Sequence, residues 1–167
     1  MEASGRAPII RTDHVDVSPD EQADRLAIRE LFDAYARCAD SRDLDGQMSL
    51  FVPDVEFLVF MDSRSDKPTQ TITSREGLRP VFENLRTYEA TTHFNGQSTV
   101  EWEGKSAHGV SYCLAHHVKS EAGSRTIMIA SIRYFDRFVK IDSRWYFKAR
   151  KLLVDWIDNR TLGASSQ

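Results

Sequence analysis

The hydrophobic residues near the start of the chain repeat at helical spacing. Between residues 19 and 39, apolar side chains recur three and four positions apart, at Ile28, Leu31, Phe32 and Tyr35, which is the pattern of an amphipathic helix. Ser18 stands directly before a proline and three positions before Glu21, and this combination is typical of a helix start with a capping box. The pattern therefore predicts one long helix from residue 19 to about residue 39.

Shorter elements are predicted after this helix. Asp43 is a good N-cap for a short second helix, which we expect Pro53 to end. The stretch "DVEFLVFM" (residues 54–61) is rich in Val and Phe and predicts a strand, whereas the polar residues 62–70 predict a loop. A further helix is expected within residues 74–88, where an internal proline leaves the first helical residue undefined.

Strand-forming residues dominate the chain after residue 90. Four long runs rich in β-branched and aromatic residues follow one another, over residues 91–102, 106–119, 126–140 and 144–157. The short turn-like stretches "EGK", "SEAG" and "KIDS" separate these runs, so the pattern predicts an antiparallel meander. Helices first and a long sheet afterwards predict an α+β fold, in which the helices pack on one face of a curved sheet.

The length of the chain is that of one domain. A chain of 167 residues can bury one sizeable core. We expect a single domain over residues 19–160, a flexible N-terminal arm over residues 1–18 and a tail over residues 161–167. The two cysteines, Cys38 and Cys113, are too far apart in sequence for a metal-binding motif, and we expect them to be free thiols.

Charge and hydropathy argue against several classes of partner. The net charge of −3 and the pI of about 5.9 do not favour nucleic acid or an anionic membrane surface. No apolar run reaches the length of a membrane span, and no secretion signal is visible at the N-terminus. We therefore expect a cytoplasmic protein with neither a nucleic-acid nor a membrane partner.

Two of the predicted strands carry histidines that alternation assigns to defined faces. In the first strand, His93 shares its face with Asn95, Gln97 and Thr99, and the opposite face carries Phe94, Ser98, Val100 and Trp102. In the second strand, His116 lies on the face opposite His117, whose own face carries Ser111, Cys113 and Ala115. Because these neighbours are small, they leave space in front of His117, and the pattern predicts the wall of a pocket.

Asp40 places a carboxylate beside the apolar face of the first helix. Burying a carboxylate is unfavourable unless another group pairs with it. Two interpretations follow from the residues alone: Asp40 caps the helix that comes next, or it pairs with a polar residue of a site. The roles of His93 and Tyr35 are also undecided from the residues alone, since each residue type also occurs as an ordinary core residue.

The segment "LFDAYARCADSRDLDGQMSLFVPDVEF", together with "TTHFNGQ" and "KIDSRWYFKARKLLVDW", resembles the SnoaL-like branch of the nuclear transport factor 2-like superfamily. The resemblance extends over roughly residues 23–156. It implies a cone-shaped, curved antiparallel sheet wrapped by N-terminal helices around an apolar pocket. The enzymes of this branch to which the pattern is most similar are cofactor-independent lyases that remove water or HCl from a cyclic substrate.

The resemblance also implies a catalytic set of four residues: Asp40, His93, Tyr35 and His117. Asp40 matches an aspartate that hydrogen-bonds a histidine on the first long strand, and His93 matches that histidine. An imidazole suits proton abstraction near neutral pH, and a carboxylate fixes its tautomer and stabilises the imidazolium. Tyr35 would donate a hydrogen bond to a substrate oxygen, and His117 would protonate or hold the leaving group.

These inferences predict a dehydratase-like lyase or an isomerase acting on a small, cyclic, mostly apolar molecule. We expect no cofactor and no metal, because His116 and His117 have no third ligand at a useful spacing. Two other interpretations stay open. One is a polyketide cyclase or ketone isomerase that uses the same His-Asp pair, and the other is a non-catalytic ligand-binding or assembly module of the same fold.

Assembly into a homo-oligomer is a further expectation, with a trimer favoured over a dimer because the relatives implied by the resemblance are trimers. An apolar sheet face that is exposed to solvent needs to be covered, for example by another subunit. We expect the apolar outer surface of this sheet to include Phe135, Tyr146 and Trp156. Four basic residues are expected to extend from the sheet to solvent or to line a subunit contact: Arg133, Lys148, Arg150 and Lys151.

Overall fold

The structure, a computed structural model, describes residues 17–163. Its helices are α1 (Pro19–Ser41), α2 (Leu44–Ser49) and α3 (Arg75–Glu83), and a 3₁₀ turn over Asn84–Thr87 follows α3. Its strands are β1 (Phe51–Phe60), β2 (Gln70–Ile72), β3 (Ala90–Glu103), β4 (Ser106–Glu121), β5 (Ser124–Ile141) and β6 (Arg144–Leu162). The four long strands confirm the predicted meander, and β2 is a short strand that the sequence pattern did not indicate.

Side-chain caps define the starts of the first two helices, as predicted. The Ser18 hydroxyl accepts a hydrogen bond from the Glu21 backbone N–H at 3.2 Å, at the start of α1. The Asp43 carboxylate accepts one from the Gly46 backbone N–H at 2.9 Å, at the start of α2. Between the two helices, Arg42 adopts a left-handed conformation with φ of 62°, which ends α1 and turns the chain into α2.

The prediction that Pro53 ends the second helix is wrong. Helix α2 already ends at Ser49, and Pro53 lies inside strand β1. The pairing of β1 with its neighbour shifts register between Phe51 and Glu56. A proline has no N–H to donate, so it is tolerated in a strand where the ladder of hydrogen bonds is interrupted.

The six strands form one sheet in the order β2-β1-β6-β5-β4-β3. The meander from β3 to β6 is antiparallel, but β1 pairs with β6 in parallel, for example Phe57 with Arg150. This parallel pair arises because the chain passes from β1 through β2 and α3 to the far edge of the sheet, and then winds back to β1. Helix α1 packs over β3 and β6, and α3 packs over β1, so the predicted α+β fold is confirmed.

A bulge in β3 changes which residues face the core. The register of β3 against β4 shifts between Asn95 and Ser98, and Ser98 lies opposite the inward-facing Ser111. Side chains after the bulge therefore point to the face opposite the one predicted. Val100 and Trp102 pack against the core, so placing them on the face opposite His93 was wrong.

Two carboxylates fasten α1 to the sheet near its two ends. Near the start of the helix, Asp24 accepts hydrogen bonds from Lys140 Nζ at 2.6 Å and from Trp145 Nε1 at 2.9 Å. Near its end, Asp40 bonds to β3 through His93 and Thr91. These contacts set the position of α1 above the inner face of the sheet.

The core contains a buried ion pair that the sequence did not suggest. Arg150 is only 1% exposed, so the prediction that it extends to solvent or lines a subunit contact is wrong. Its guanidinium donates from Nε and Nη2 to Asp136 at 2.8 and 2.9 Å. The rings of Tyr35, Tyr134 and Phe147 lie 4.1 to 4.2 Å from the guanidinium carbon. The carboxylate and the aromatic faces thus replace the water that a surface arginine would contact.

Several remaining expectations concern the ends of the chain and its cysteines. The arm predicted over residues 1–18 and the tail predicted over residues 161–167 lie largely outside the described residues, and β6 continues to Leu162. Cys38 and Cys113 are free thiols, as predicted, and both are buried. Within residues 17–163, every helix is too short or too polar to cross a membrane.

We predict that removing Asp136 destabilises the fold far more than removing an exposed carboxylate of the same sheet. Asp136→Ala leaves the buried Arg150 charge without its partner and should lower the free energy of unfolding by about 3–5 kcal/mol. The matched control is Asp155→Ala, which breaks the more exposed Arg133–Asp155 pair and should lower it by less than about 1 kcal/mol. Urea unfolding monitored by circular dichroism measures both, and equal losses would contradict the prediction.

Candidate active site

A cavity of about 210 Å³ lies between the inner face of the sheet and the three helices. Its walls are mostly apolar and include Phe57, Val59, Val81, Phe82, Ile132 and Leu152. Among the described residues that line it there is no Lys, Arg, Asp or Glu. The polar groups that reach it come from tyrosine, glutamine and histidine side chains, so the cavity suits a neutral molecule.

Asp40 and His93 form a hydrogen-bonded pair at the wall of this cavity. Asp40 Oδ1 lies 2.7 Å from His93 Nδ1, and Asp40 Oδ2 accepts the backbone N–H of His93 at 2.8 Å. The predicted contact between the two residues is therefore confirmed. Because Asp43 caps α2, Asp40 is not the capping residue, and its carboxylate is committed to β3 instead.

Two residues that the sequence analysis missed support the carboxylate. The Thr91 hydroxyl donates to Asp40 Oδ1 at 3.0 Å, and Arg42 Nη1 donates to the Thr91 hydroxyl oxygen at 2.6 Å. Arg42 reaches Thr91 because its left-handed backbone turns the side chain back over the end of α1, where it also bonds the Ala39 carbonyl at 2.7 Å. Neither residue stands in a recognisable motif, so only the folded chain reveals them.

The pKa of Asp40 is lowered by these contacts. Burial alone raises the pKa of this carboxyl, but the hydrogen bonds from His93 and Thr91 outweigh burial. Asp40 is therefore an anion at neutral pH and acts only as a hydrogen-bond acceptor. That requires the proton of a neutral His93 ring to sit on Nδ1, which leaves Nε2 as the nitrogen that can accept a proton.

His117 borders the same cavity as His93, and His116 lies on the opposite face of β4, as predicted. The His117 ring packs edge-on against His93, with ring centroids 5.4 Å apart, and lies tilted against Tyr88, with ring centroids 4.8 Å apart. Within the described part of the chain, His117 Nδ1 has no hydrogen-bond partner. Burial, together with the nearby His93, lowers the pKa of His117 to about 4, so this imidazole is neutral at pH 7.

Tyr35 lies on α1 and also borders the cavity. Burial raises the pKa of its phenol, and the nearby Arg150 offsets only part of that effect. Tyr134, a cavity residue that the sequence analysis missed, has a pKa raised well above its usual value for the same reason. Both hydroxyls therefore stay protonated at neutral pH and can donate hydrogen bonds to a ligand.

A larger groove lies on the outer face of the sheet and contains neither Asp40 nor His93. It measures about 410 Å³ and is bordered by the half-buried Glu101 and by the exposed Glu103 and Arg137. These charges are solvated or paired with one another, as in the Glu56–Arg137 contact at 3.7 Å. The smaller inner cavity is the better candidate because it is apolar and holds the hydrogen-bonded histidine.

Comparison with known proteins places this arrangement in context. Residues 20–151 match the family model described as a SnoaL-like domain. No curated protein matches the sequence.

Solved structures share the fold at low sequence identity. A candidate scytalone dehydratase from Novosphingobium aromaticivorans is 24% identical with a TM-score of 0.72, over 86% of this chain and 92% of that chain. A hexachlorocyclohexane dehydrochlorinase, LinA type 3 from Novosphingobium barchaimii, is 18% identical with a TM-score of 0.68, over 87% and 94%. A protein of unknown function from Mycobacterium tuberculosis is 26% identical with a TM-score of 0.66, over 83% and 76%.

The buried His117 should make stability fall as the pH is lowered. The unfolded chain takes up a proton near pH 6.5, whereas folded His117 does so only near pH 4. This difference in pKa between the two states favours the unfolded state by about 2 kcal/mol at pH 5. We predict that His117→Leu removes the contribution of His117 to the fall in the free energy of unfolding between pH 7 and pH 5. Urea unfolding at each pH measures this change.

The control for this prediction is His108→Leu. His108 is 47% exposed at its side chain and lies on the outer face of β4, so its removal should leave the pH dependence close to that of the unmodified protein. An identical loss of stability in the His117 variant and the unmodified protein would contradict the assigned burial of a neutral imidazole.

Proposed function

The chain belongs to the SnoaL-like domain family, and we propose that it is a dehydratase-like lyase or an isomerase acting on a small, cyclic, mostly apolar molecule. One observation carries this proposal: a hydrogen-bonded Asp40–His93 pair at the wall of an apolar cavity. Such a pair supplies a general base, oriented by a carboxylate, in mostly apolar surroundings. The names of two structural neighbours, a candidate scytalone dehydratase and a dehydrochlorinase, support the lyase class.

In the proposed dehydration, His93 acts as the general base. Its Nε2 accepts a proton from a ring carbon next to a carbonyl group, and the electrons of that C–H bond form the new double bond. The bond from the neighbouring carbon to the hydroxyl group breaks, and the hydroxide takes up the proton from His93 to leave as water. Asp40 stabilises the intermediate imidazolium, because its carboxylate already accepts the Nδ1–H.

Tyr35 and His117 are assigned the supporting roles. The protonated Tyr35 hydroxyl borders the cavity and donates to the carbonyl oxygen on which negative charge develops. The neutral His117 holds the leaving hydroxyl by a hydrogen bond, which its unpartnered Nδ1 makes feasible. The absence of charged side chains among the described lining residues favours a substrate without a carboxylate or phosphate group.

An isomerase or a polyketide cyclase would use the same first step. Proton abstraction by His93 beside a carbonyl gives an enolate, which can be reprotonated elsewhere or attack a second carbonyl instead of expelling hydroxide. The products distinguish the reactions, since dehydration alone lowers the product mass by one water. A purely ligand-binding module is less consistent with a cavity histidine whose ring is oriented by a carboxylate.

We predict that His93→Ala and Asp40→Asn each lower kcat/KM by about 10²-fold or more. The first removes the base, and the second keeps the shape of the side chain but removes the charge that stabilises the imidazolium. Tyr35→Phe should have a smaller effect, because it removes one hydrogen-bond donor and no proton acceptor. The assay measures turnover of a panel of cyclic β-hydroxy ketones by mass spectrometry and by the absorbance of the conjugated product.

His116→Ala is the matched control, since His116 is adjacent in sequence but lies on the opposite face of β4. It should retain the rate of the unmodified enzyme. If a substrate is turned over and His93→Ala retains that rate as well, the histidine is structural and the proposed mechanism fails.

We further propose a homo-oligomer, with a trimer favoured over a dimer. Large apolar side chains lie exposed in one row across the outer face, where Phe94 pairs with Leu114, Leu114 with Ser131, and Ser131 with Trp156. Trp156 was expected in this surface. Phe135 and Tyr146, also expected there, are half-buried beneath Arg133 and Arg144.

If the protein is a trimer, light scattering at micromolar concentration should give a mass near three times 19.1 kDa. The double substitution Phe94→Lys and Trp156→Lys should shift the mass towards that of a single chain, because it places charges in the apolar row. A mass of 19.1 kDa for the unmodified protein would overturn the proposal.

A further inference from the structure

Gln47 is a buried polar residue to which the proposed mechanism gives no role. It lies on α2, borders the same cavity as His93 and is only 2% exposed. Its backbone is satisfied, since its N–H donates to the Asp43 carbonyl at 2.9 Å and its carbonyl accepts from Leu50 at 3.3 Å. Its side-chain Nε2, however, has no hydrogen-bond partner within the described residues.

An unpartnered amide donor in an apolar environment is unfavourable. Leaving such a group buried costs about 1–3 kcal/mol, and most buried polar groups in proteins therefore have a partner. A leucine or methionine at position 47 would fill the same space without that penalty. Its position beside a cavity suggests the physical reason for the glutamine, because a bound molecule can supply the missing acceptor.

We propose that Gln47 is a specificity-determining residue whose side-chain N–H donates a hydrogen bond to the carbonyl oxygen of the bound substrate, in addition to the one assigned to Tyr35. This inference rests on the proposed function and names its substrate class: a neutral oxygenated ring, such as a cyclic ketone or alcohol. A hydrocarbon or halogenated ring would leave the amide unpaired, since carbon-bound hydrogen offers no acceptor and carbon-bound halogen offers only a weak one. A site with such a donor discriminates against analogues that lack the oxygen.

Gln47 and His93 reach the cavity from different elements. His93 lies on β3 and is oriented by α1, whereas Gln47 lies on α2. A substrate oxygen held by Gln47 therefore fixes the ring at a point separate from the base. Discrimination by Gln47 is consequently a property of binding and can be measured without turnover.

The test measures the affinities of 2-tetralone and of its parent hydrocarbon, tetralin, by isothermal titration calorimetry. The quantity of interest is the ratio of the tetralin to the 2-tetralone dissociation constant. Gln47→Leu should lower this ratio at least about 10-fold, which is 1.4 kcal/mol, mainly by weakening the binding of the ketone. The matched control is Gln97→Leu, which makes the same change at an exposed residue that does not line the cavity, and it should leave the ratio unchanged.

Stability without ligand provides a second readout. If Gln47 serves a ligand, Gln47→Leu removes an unpaired buried donor and should raise the midpoint of urea unfolding, whereas loss of a structural glutamine lowers it. Gln47→Met, which keeps the unbranched shape, repeats both measurements should the leucine variant not fold.

The proposal is overturned if the ratio is unchanged in the Gln47 variants, if the substitutions weaken both ligands equally and lower stability, or if the unmodified protein does not bind 2-tetralone. Failure of the proposed lyase or isomerase function has a different signature. That function fails if His93→Ala retains the rate of the unmodified enzyme, whereas the Gln47 ratio is measured without turnover, so the binding result and the kinetic result are independent.

Discussion

The Asp40 carboxylate joins the end of the first helix to the first strand of the meander, and the cavity depends on this junction. It interacts with three groups of β3: the His93 ring nitrogen, the His93 backbone N–H and the Thr91 hydroxyl. A carboxylate with these partners keeps its charge although it is partly buried. The same contacts that hold the helix over the sheet also orient the imidazole, so one residue couples the architecture of the domain to its chemistry.

A buried ion pair lies beneath the cavity, and two polar side chains with unpartnered nitrogens lie at its wall. Arg150 and Asp136 are almost completely buried and share two hydrogen bonds among aromatic rings that include Tyr35, although Arg150 Nη1 has no partner in the described structure. At the wall itself, Gln47 and His117 each retain a polar nitrogen without a partner in the described structure. A buried polar atom without a partner is unfavourable unless a water molecule or a ligand completes it. Gln47 and His117 line the cavity, where a bound molecule can supply the missing partner, whereas the Arg150 guanidinium lies among aromatic rings.

The bulge after Asn95 allows strand β3 to contribute side chains both to the cavity and to the hydrophobic core. Before the bulge, His93 faces the cavity; after it, Val100 and Trp102 turn inwards to the hydrophobic core. Without the extra residue, strict alternation would direct the two apolar side chains to solvent. Phe94, which alternation alone places outside, is 66% exposed and belongs to the apolar row that we assign to subunit contact.

The sequence by itself determined the features that depend on nearby residues. Apolar spacing, helix caps such as Asp43 and the runs of strand-forming residues defined the α+β order, and resemblance to a known family paired Asp40 with His93 correctly. Tertiary structure alone decided where Pro53 sits, which way the strand turns after Asn95, and that Arg150 is buried. The physical reason is that a register shift, a tolerated proline or a buried charge is stabilised by partners distant in sequence, and a local pattern contains no information about those partners.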